Sequence, residues 1–522
     1  MFGRTHFFFR GVVLGRSAVT PQWRSAGASR TDRIEHQARL AQTSSFAGQA
    51  ASHRHMSTVK MEDVNSVPSG QSAWKLDFSS HSFAFKHKKT KELIRGLLVL
   101  NACAVDTLVN HSIRLLTLGE RILGEKLLSI FVAPFYNQFV AGNSEDKLAA
   151  ISRSLHEVNV KLMVAPMLET DIGEGHDLEA MYRKNLDKTL FLIEMARRHN
   201  LSRHSTPICQ TKHTAHLSAD VLAKISTAYM SLSEEKRAEA VRGLALLMEA
   251  SGKDGFREGT LPEVSSPLEL LRLDIDDYQQ LMESLPRLYI LGEKCVKENV
   301  ILAVDAEFTY TNPAINFLTL AMMKVFNTGR KPLIWNTYQG YLKSGLQNLQ
   351  HDLRLARALG NVGFGVKIVR GAYLERERSD ALEQGHPDPV NDTYEDTCSM
   401  YNSMVDAMLQ EVQKDPEGKA IVVATHNEES VLLAASKMEE LGLDPTVGNV
   451  VFGQVYGMAE NITLPLAHCG YLVYKSVPYG SMLEVMPYLS RRASENRAVL
   501  RGARKERQLL SQELRSRFSF ST

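Results

Sequence analysis

The stretch that decides the fold is residues 420–455, AIVVATHNEESVLLAASKMEELGLDPTVGNVVFGQV. It begins with an apolar, β-branched run at 420–426, continues through an amphipathic pattern at 428–441, and ends in a second apolar run at 450–455. Short β-branched runs are typical of buried strands, whereas apolar residues recurring every three to four positions are typical of a helix. The stretch therefore predicts a βαβ unit with parallel strands.

The same alternation extends along most of the chain. Helical patterns at 316–326, 345–358 and 393–412 separate further apolar runs. Eight such strands alternating with helices predict an α/β fold, a distorted (β/α)8 barrel of the TIM type enlarged by insertions. The other six predicted strands are 162–168, 208–214, 300–306, 333–337, 365–371 and 472–477.

Three regions are predicted from composition and periodicity. Residues 1–57 read as a mitochondrial transit peptide and disordered leader, because residues 1–31 contain Arg but no Asp or Glu. Residues 58–160 read as an N-terminal helical arm, because leucines recur at helical spacing. Residues 161–522 form the predicted barrel, with a polar helical insertion at 218–295.

Composition excludes several classes of protein. The chain has 522 residues and a formal charge of +2, a balance that argues against nucleic acid as a partner. No apolar run is long enough for a spanning helix. The five scattered cysteines form no CxxC pair, which argues against a disulfide framework and fits a reducing compartment. Dinucleotide-fold, P-loop, HExxH and GxSxG motifs are missing from the sequence.

Polar residues gather where the predicted strands end. In a barrel of this type the chemistry sits at the carboxyl ends of the strands. A mouth so rich in cations and donors suits a large anionic ligand that forms many hydrogen bonds. His426 is a lone candidate metal ligand, for which a structural or hydrogen-bonding role is favoured, so no metal site is predicted. The polar strand ends include Lys212, Thr214, Asp305, Glu307, Asn336, Lys367, Arg370, Tyr373, Thr425, His426, Asn427, Gln454 and Ser476.

A second signal follows the eighth predicted strand. Helical spacing places Tyr488, Arg491, Arg492 and Glu495 on one face. Two adjacent guanidinium groups can bind a carboxylate with bidentate geometry, and Glu495 can orient one of them. An isolated pair of arginines is usually a surface feature, but this pair lies where a final barrel helix can close over the mouth.

These residues resemble the proline dehydrogenase family of flavoenzymes. The matching motifs are KIVRGAY at 367–373, THN at 425–427, FGQ at 452–454 and YLSRRASEN at 488–496, in the family's order. The resemblance covers residues 130–515, and the insertion is its loosest part. It implies a distorted barrel that binds FAD without a covalent link, oxidises a cyclic imino acid and delivers electrons to ubiquinone. It also implies peripheral association with the matrix side of the mitochondrial inner membrane.

The resemblance also assigns roles to individual residues. Lys212, Arg491 and Arg492 correspond to family residues that bind the substrate carboxylate, and Tyr373 and Tyr488 to residues that pack around the substrate ring. Asp305 and Glu307 resemble residues that orient these cations. The positions that correspond to flavin contacts are Asn336, Lys367, Arg370, Gly371, Ala372, Thr425, His426, Asn427, Gln454, Arg492 and Glu495.

One departure bears on the substrate. Proline-specific members carry Tyr at the position of Ser476, where Ser frees volume and can bind a hydroxyl. The change resembles hydroxyproline dehydrogenases. It implies oxidation of trans-4-hydroxy-L-proline to 3-hydroxy-1-pyrroline-5-carboxylate.

Three other interpretations remain open. The nearest is an L-proline dehydrogenase that forms 1-pyrroline-5-carboxylate. The others are a Schiff-base aldolase using Lys212 or Lys367, and a non-catalytic barrel that regulates a partner. The sequence does not reveal the oligomeric state.

Overall fold

A computed structural model shows that the alternating strands close into a parallel eight-stranded barrel in sequence order, as predicted. It describes residues 76–105, 111–168, 177–202, 205–254, 267–360, 362–482, 484–485 and 497–519. The barrel closes through β1 and β8, whose register runs from Val160 opposite Val473 to Pro166 opposite Tyr479. The strands are β1 Val160–Pro166, β2 Ile208–Thr211, β3 Ile301–Val304, β4 Ile334–Gln339, β5 Phe364–Val369, β6 Lys419–Ala424, β7 Val450–Val455 and β8 Val473–Tyr479.

Each predicted strand overlaps an observed one, and the largest difference at any single strand end is the three residues at the end of β2. The prediction extended β2 to residue 214, but the chain turns into a 3₁₀ helix at His213–Ala215 directly after Lys212. This turn brings Lys212 and Thr214 to the barrel mouth instead of into the sheet.

Helices surround the barrel and precede it. Among the described residues, no helix combines the length and apolar character needed to cross a membrane. The helices are α1 His81–Phe85, α2 Thr90–Ala102, α3 Ser112–Phe139, α4 Glu145–Glu157, α5 Leu178–Arg198, α6 Ala219–Met230, α7 Glu234–Asp254, α8 Ile275–Glu298, α9 Asn312–Phe326, α10 Gly345–Ala358, α11 Leu374–Gln384, α12 Tyr394–Lys414, α13 Glu428–Glu440, α14 Glu460–His468 and α15 Arg497–Ser519.

The barrel lumen changes from apolar to polar along the strands. Successive side chains of a strand point to opposite faces, so residues two apart share the lumen. The amino-terminal part of the lumen is filled by an apolar cluster that includes Met163, Ile208, Trp335 and Tyr474. Two residues further along β2 and β8, the inward positions are Gln210 and Ser476. The lumen is therefore closed below and lined by hydrogen-bonding groups above.

The polar segment between β2 and β3 folds as helices α6, α7 and α8. The Tyr229 ring of α6 packs against the Phe317 ring of α9 with centroids 4.9 Å apart. Ser226 Oγ accepts a hydrogen bond from the Ala314 backbone at 3.0 Å. These contacts place the segment on the outside of the barrel, against α9.

The first helices pack directly on the last one. We call α1, α2 and α15 the terminal clamp. Its apolar interior includes Phe85, Leu93 and Leu510. His81 Nδ1 lies 2.9 Å from Glu513 Oε2, which joins the two ends of the described chain. The clamp fixes α15, the helix that directly follows the segment with the paired arginines.

A buried ionic group ties the clamp to the barrel wall. Glu460 Oε1 lies 3.1 Å from Lys88 Nζ and 3.8 Å from Lys475 Nζ, and Lys475 is fully buried. Burial disfavours the charged carboxylate, but Lys475 and Lys88 outweigh it, so the pKa of Glu460 lies below its usual value. Glu506 of α15 accepts hydrogen bonds from the backbone amides of Ala459 and Glu460 at 2.9 and 3.1 Å. These contacts link α15, α14 and β8.

Asp352 of α10 provides a pH-dependent contribution to stability. It is 3% exposed, and its Oδ2 accepts hydrogen bonds from Tyr338 OH and Asn316 Nδ2, each at 2.8 Å. Burial raises the pKa of Asp352 from 3.8 to about 7. The folded state therefore holds this proton more tightly than the unfolded state, and stability falls as pH rises between the two values.

We expect the free energy of unfolding to fall by about 2 kcal/mol between pH 5.5 and pH 8, because Asp352 loses its proton over this range. Asp352→Asn should remove that part of the pH dependence, measured by urea unfolding at both pH values. Asp444→Asn, in an exposed turn, is the matched control. An unchanged pH dependence in Asp352→Asn would show that the buried carboxyl is not its source.

Candidate active site

Four side chains form a continuous hydrogen-bonded series across the upper lumen, which we call the lumen chain. Lys367 Nζ contacts the Asp305 carboxylate and donates to Gln210 Oε1 at 2.8 Å. Gln210 Nε2 donates to Ser476 Oγ at 2.7 Å. Gln210 and Lys367 are buried, whereas Asp305 and Ser476 are partly exposed. The two ends of the lumen chain are therefore open to a ligand at the mouth.

Lys212 forms a second polar cluster at the mouth. Its Nζ donates to Tyr373 OH at 3.0 Å and lies 3.5 Å from Glu307 Oε2. Burial disfavours the ammonium form, but Glu307, Tyr373 and Asp305 outweigh burial and raise the pKa of Lys212 above its usual value. The Lys212 side chain retains 31% exposure. It is a permanent positive charge that can meet an anionic ligand.

The counterion of Lys212 is held firmly in place. Thr214 Oγ1 lies 2.9 and 2.8 Å from the two carboxylate oxygens of Glu307. The Glu307 backbone amide donates to Asn312 Oδ1 at 2.7 Å, and its carbonyl accepts from Gln339 Nε2 at 3.1 Å. Neighbouring strand ends thus fix Glu307, and through it Lys212, before any ligand binds.

Aromatic rings line one side of this cluster. The Tyr373 and Phe308 ring centroids are 4.4 Å apart, and Phe308 stacks on Tyr310 at 5.5 Å. Lys212 Nζ lies 5.8 Å from the Tyr373 ring centroid. A cation beside an aromatic wall can bind the carboxylate of a small molecule while its apolar ring packs against the aromatic face.

Arg370 spans the edge between β5 and β6. Its Nη1 donates to Thr425 Oγ1 at 2.5 Å and its Nη2 to Ser430 Oγ at 2.8 Å. The guanidinium lies over the Tyr401 ring, 4.4 Å from its centroid. The buried Arg370 Nε has no hydrogen-bond partner among the described residues. The planar group is thus held rigidly with one donor unused.

Gly371 permits a close approach of backbone to an aromatic ring. Its φ is +128°, and a Cβ there would lie 1.6 Å from the Tyr341 ring. A side chain would therefore be strained and would displace Tyr341. Ala372 and Tyr373 follow as partly exposed residues, so this turn aims Tyr373 at the mouth.

His426 and Asn427 have defined local roles after β6. His426 Nε2 accepts a hydrogen bond from the Val455 backbone amide at 2.9 Å, which assigns the neutral ring's proton to Nδ1. Asn427 Oδ1 caps α13 by accepting from Ser430 N at 2.8 Å. Within the described ranges, His, Cys, Asp and Glu side chains form no group of three able to hold a metal ion.

Two predicted cofactor residues point away from the lumen. Asn336 alternates with the inward Trp335, and its Nδ2 donates to Asn316 Oδ1 of α9 at 2.9 Å. Gln454 Oε1 accepts from Thr463 of α14 at 3.1 Å. The structure does not bring these two side chains into the cluster formed by Lys212, Lys367, Tyr373 and Ser476.

The second predicted signal cannot be placed in the same way. Tyr488, Arg491, Arg492 and Glu495 lie outside the described residues. Conversely, Gln210 is central to the lumen chain, yet the sequence reading passed over it. The signal that identifies it is its two-residue spacing from Lys212, which directly follows β2 and continues the alternation of its inward face.

The residues present suit a flavin dinucleotide. Such a cofactor carries a diphosphate and a ring edge with several hydrogen-bond acceptors, so its site must supply cations and donors. Lys367 supplies a buried ammonium in the lumen, and Arg370 supplies a guanidinium with one unused buried donor. Gly371 leaves the adjoining backbone free of a side chain.

The closed parallel barrel, with cations, carboxylates and aromatic rings at the carboxyl ends of its strands, defines a (β/α)8-barrel enzyme. Residues 150–505 match the family described as proline dehydrogenase. The chain belongs to the proline dehydrogenase family. It is therefore an oxidoreductase acting on a CH–NH group, and proteins of this family are in general flavoenzymes.

Similar proteins include hydroxyproline dehydrogenases and a proline dehydrogenase. The chain is 36% identical to hydroxyproline dehydrogenase of Xenopus laevis, covering 87% of this chain and 92% of that protein. It is 38% identical to hydroxyproline dehydrogenase of Homo sapiens, covering 83% and 91%. Identity to "Proline dehydrogenase 1, mitochondrial" of Homo sapiens is 32%, covering 86% and 92%.

A solved structure shares the fold. Proline utilization A from Bdellovibrio bacteriovorus, inactivated by N-propargylglycine, superposes with a TM-score of 0.52 at 17% identity. The match covers 80% of this chain and 38% of that longer chain. At this identity the similarity concerns the barrel architecture alone.

Proposed function

We propose that this chain catalyses the FAD-dependent oxidation of trans-4-hydroxy-L-proline to 3-hydroxy-1-pyrroline-5-carboxylate. The observation that carries the proposal is the inward position of Ser476, partly exposed at one end of the lumen chain. The small side chain leaves volume and offers a hydroxyl where the proline-specific pattern has Tyr. The higher identity to hydroxyproline dehydrogenases than to proline dehydrogenase 1 supports the same substrate. L-Proline, giving 1-pyrroline-5-carboxylate, is the alternative.

Substrate binding in this proposal relies on charge and shape. Lys212 binds the substrate carboxylate together with Arg491 and Arg492, and Tyr373 and Tyr488 pack against the ring. Fixing the carboxylate and the ring together restricts the substrate to one orientation, which lowers the entropic part of the barrier. The substrate amine is unprotonated when hydride leaves C5, because its lone pair forms the new C=N bond. We therefore expect activity to rise with pH above neutrality.

Cofactor binding relies on the β5–β7 side of the mouth. FAD, when bound, supplies the two-electron acceptor for this oxidation. The Asn336 and Gln454 side chains lie on the outer side of their strands. Asn336 donates to α9 and leaves its buried Oδ1 without a partner among the described residues, and Gln454 donates to the Thr425 carbonyl at 3.4 Å. The proposed contacts are Asn336, Lys367, Arg370, Gly371, Ala372, Thr425, His426, Asn427, Gln454, Arg492 and Glu495.

Flavin bleaching tests the reaction. Each imino acid is added anaerobically to the purified flavoprotein while flavin absorbance is followed. We expect trans-4-hydroxy-L-proline to bleach the flavin at much lower concentration than L-proline. Bleaching mainly by L-proline would replace the substrate and keep the reaction class. A protein that FAD cannot reconstitute would contradict the flavin, and trapping a borohydride-reduced adduct on Lys212 or Lys367 would support the aldolase instead.

We further propose that residues 1–57 direct the chain to mitochondria. Residues 58–160 form an arm on the FAD-binding barrel, which comprises residues 161–522. Ubiquinone accepts the electrons on the matrix side of the inner membrane. The name of one relative, "Proline dehydrogenase 1, mitochondrial", supports the compartment. A lipid-soluble acceptor requires the enzyme to reach a membrane surface.

Helices α2 and α3 offer a surface for that contact. Six large apolar side chains on these helices are each at least half exposed: Ile94, Leu98, Leu118, Ile122, Ile130 and Phe131. The exposed basic residues Lys91, Arg114 and Arg121 lie on the same two helices. Apolar side chains flanked by cations are typical of helices that lie in the surface of an anionic bilayer.

Ile122→Asp combined with Phe131→Asp should abolish this docking, because both side chains are about two-thirds exposed, at 70% and 67%. We expect at least about a tenfold loss of cosedimentation with phosphatidylglycerol-containing vesicles, with flavin bleaching unchanged. Ile275→Asp, an equally exposed isoleucine on α8, is the matched control. Equal vesicle binding by the wild type, the double variant and Ile275→Asp would contradict the proposed docking.

A further inference from the structure

Gln210 joins the two functional ends of the lumen. It lies on β2, is 7% exposed, and bridges Lys367 of β5 to Ser476 of β8. No other side chain in the described part of the chain hydrogen-bonds to Ser476 Oγ. The oxygen and nitrogen of the Gln210 amide therefore connect Lys367, which is proposed to face the cofactor, with Ser476, which is proposed to face the substrate.

The charge on Lys367 fixes the orientation of the Gln210 amide. The two ends of a glutamine amide differ only in hydrogen-bond polarity, so the partners decide which end faces where. A lysine ammonium has three donors and no acceptor. The atom 2.8 Å from Lys367 Nζ must therefore be the amide oxygen, and the amide nitrogen must face Ser476.

This orientation determines what Ser476 can offer. A hydroxyl has one donor and two acceptor positions. Since Gln210 Nε2 donates to Ser476 Oγ, the serine proton is directed elsewhere, and no acceptor for it is found within the described residues. The Ser476 side chain is partly exposed at the mouth. Its free donor is thus available to an oxygen atom of the ligand.

We propose that Gln210 is a specificity-determining positioning residue, which holds Ser476 as a hydrogen-bond donor toward the ring hydroxyl oxygen of the substrate. The inference rests on the proposed function, because it assigns a ring hydroxyl to the same site. Lys367 acts in two ways in this arrangement. It provides the cation near the cofactor. Because its ammonium has no acceptor, it also fixes the direction of the hydrogen bond from Gln210 to Ser476, and so the direction in which Ser476 donates to the substrate.

Gln210→Glu tests the polarity directly. A carboxylate has nearly the shape of the amide but only accepts, so it would take hydrogen bonds from both Lys367 and Ser476. The Ser476 proton would then turn toward position 210, leaving the substrate hydroxyl oxygen without a donor. We expect the ratio of kcat/KM for trans-4-hydroxy-L-proline to that for L-proline to fall by about tenfold or more. A loss common to both substrates, caused by the new charge, would cancel in this ratio.

Three further variants separate the effect of hydrogen-bond polarity from other effects. Gln339→Glu makes the same chemical change at another buried glutamine of the mouth, one that contacts Asn312 and Glu307 instead of Ser476, and should leave the ratio unchanged. In a Ser476→Ala background, Gln210→Glu should no longer change the ratio, because the residue it acts through is gone. Gln210→Met provides a neutral second variant, in which the unoriented serine should also lower the ratio.

The outcomes distinguish the two proposals. A wild-type enzyme that prefers L-proline would overturn the proposed substrate and this inference together. A wild-type enzyme that prefers trans-4-hydroxy-L-proline, with an unchanged ratio in Gln210→Glu and Gln210→Met, would overturn the role of Gln210 alone. An equal effect of Gln210→Glu with and without Ser476 would also overturn it, since the effect would then not pass through the serine.

Discussion

Lys212→Met should lower kcat/KM for the imino acid substrate by roughly 30- to several-thousand-fold, most of it as an increase in KM. The ammonium is held at the mouth by Tyr373 OH at 3.0 Å and by Glu307 at 3.5 Å. Truncating one partner of a charge pair that the bound substrate buries costs about 2–5 kcal/mol, because the other charge is left without its partner. Methionine retains the length and apolar stem of lysine, so packing against Tyr373 should survive.

The measurement is steady-state kinetics with an artificial electron acceptor, together with the flavin spectrum. Lys161→Met is the matched control, because Lys161 is a buried lysine at the amino-terminal end of β1, where it donates to Asn159. We expect near-normal kinetics from that control. A normal KM in Lys212→Met would remove the lysine from the substrate site. A lost flavin spectrum would instead assign it to the cofactor.

Glu460→Gln should reduce the free energy of unfolding by about 3–5 kcal/mol, because it leaves a fully buried lysine without its counterion. Lys475 would retain hydrogen bonds to the backbone carbonyls of Met458 and Val455 and the weaker electrostatic interaction with Glu506. Burial already lowers the pKa of Lys475, which shows how costly its charge is at this place. The change is isosteric, so lost packing contributes little.

Urea unfolding of four proteins measures the effect. They are the wild type, Glu460→Gln, Lys475→Met and the double variant. Removing both charges of a buried pair costs far less than removing one, so the double variant should recover most of the lost stability. Additive losses in the double variant would show that Glu460 and Lys475 stabilise the fold independently.

The sequence predicted the barrel well because each strand is buried on both faces. A parallel strand in a barrel must be apolar almost throughout, and this produces short β-branched runs that stand out from amphipathic helices. Strand ends were less accurate where local turn chemistry intervenes. β2 ends at Thr211, three residues before the predicted end, because the chain enters the 3₁₀ helix His213–Ala215. No apolar pattern in the sequence predicts that helix.

The site was predicted by position along each strand, without regard to the face of the strand. Lys212, Lys367 and Ser476 are all inward residues, and the structure brings them to one lumen. Asn336 stands one residue out of phase with Trp335, so its side chain meets α9 instead. The apolar neighbours on each strand could have revealed this, because a one-residue shift moves a side chain to the opposite face.

Gln210 illustrates the remaining limit. A glutamine inside a strand carries no motif, and its importance depends on residues 157 and 266 positions away. Only the closed barrel brings those three strands together around one amide. Sequence patterns describe each strand separately, whereas hydrogen-bond polarity is a property of the assembled lumen.

The terminal clamp has a consequence for how the chain is made. His81 and Glu513 are partners across 432 residues, so the ribosome finishes the helices of the arm long before it produces the helix that covers them. Throughout that interval Phe85 and Leu93 have no apolar partner from α15, and transiently exposed apolar side chains of this kind favour aggregation in general. A product ending before residue 497 would contain every barrel strand and still lack this cover. Closure of this apolar surface therefore depends on a helix that is synthesised only after every barrel strand is present.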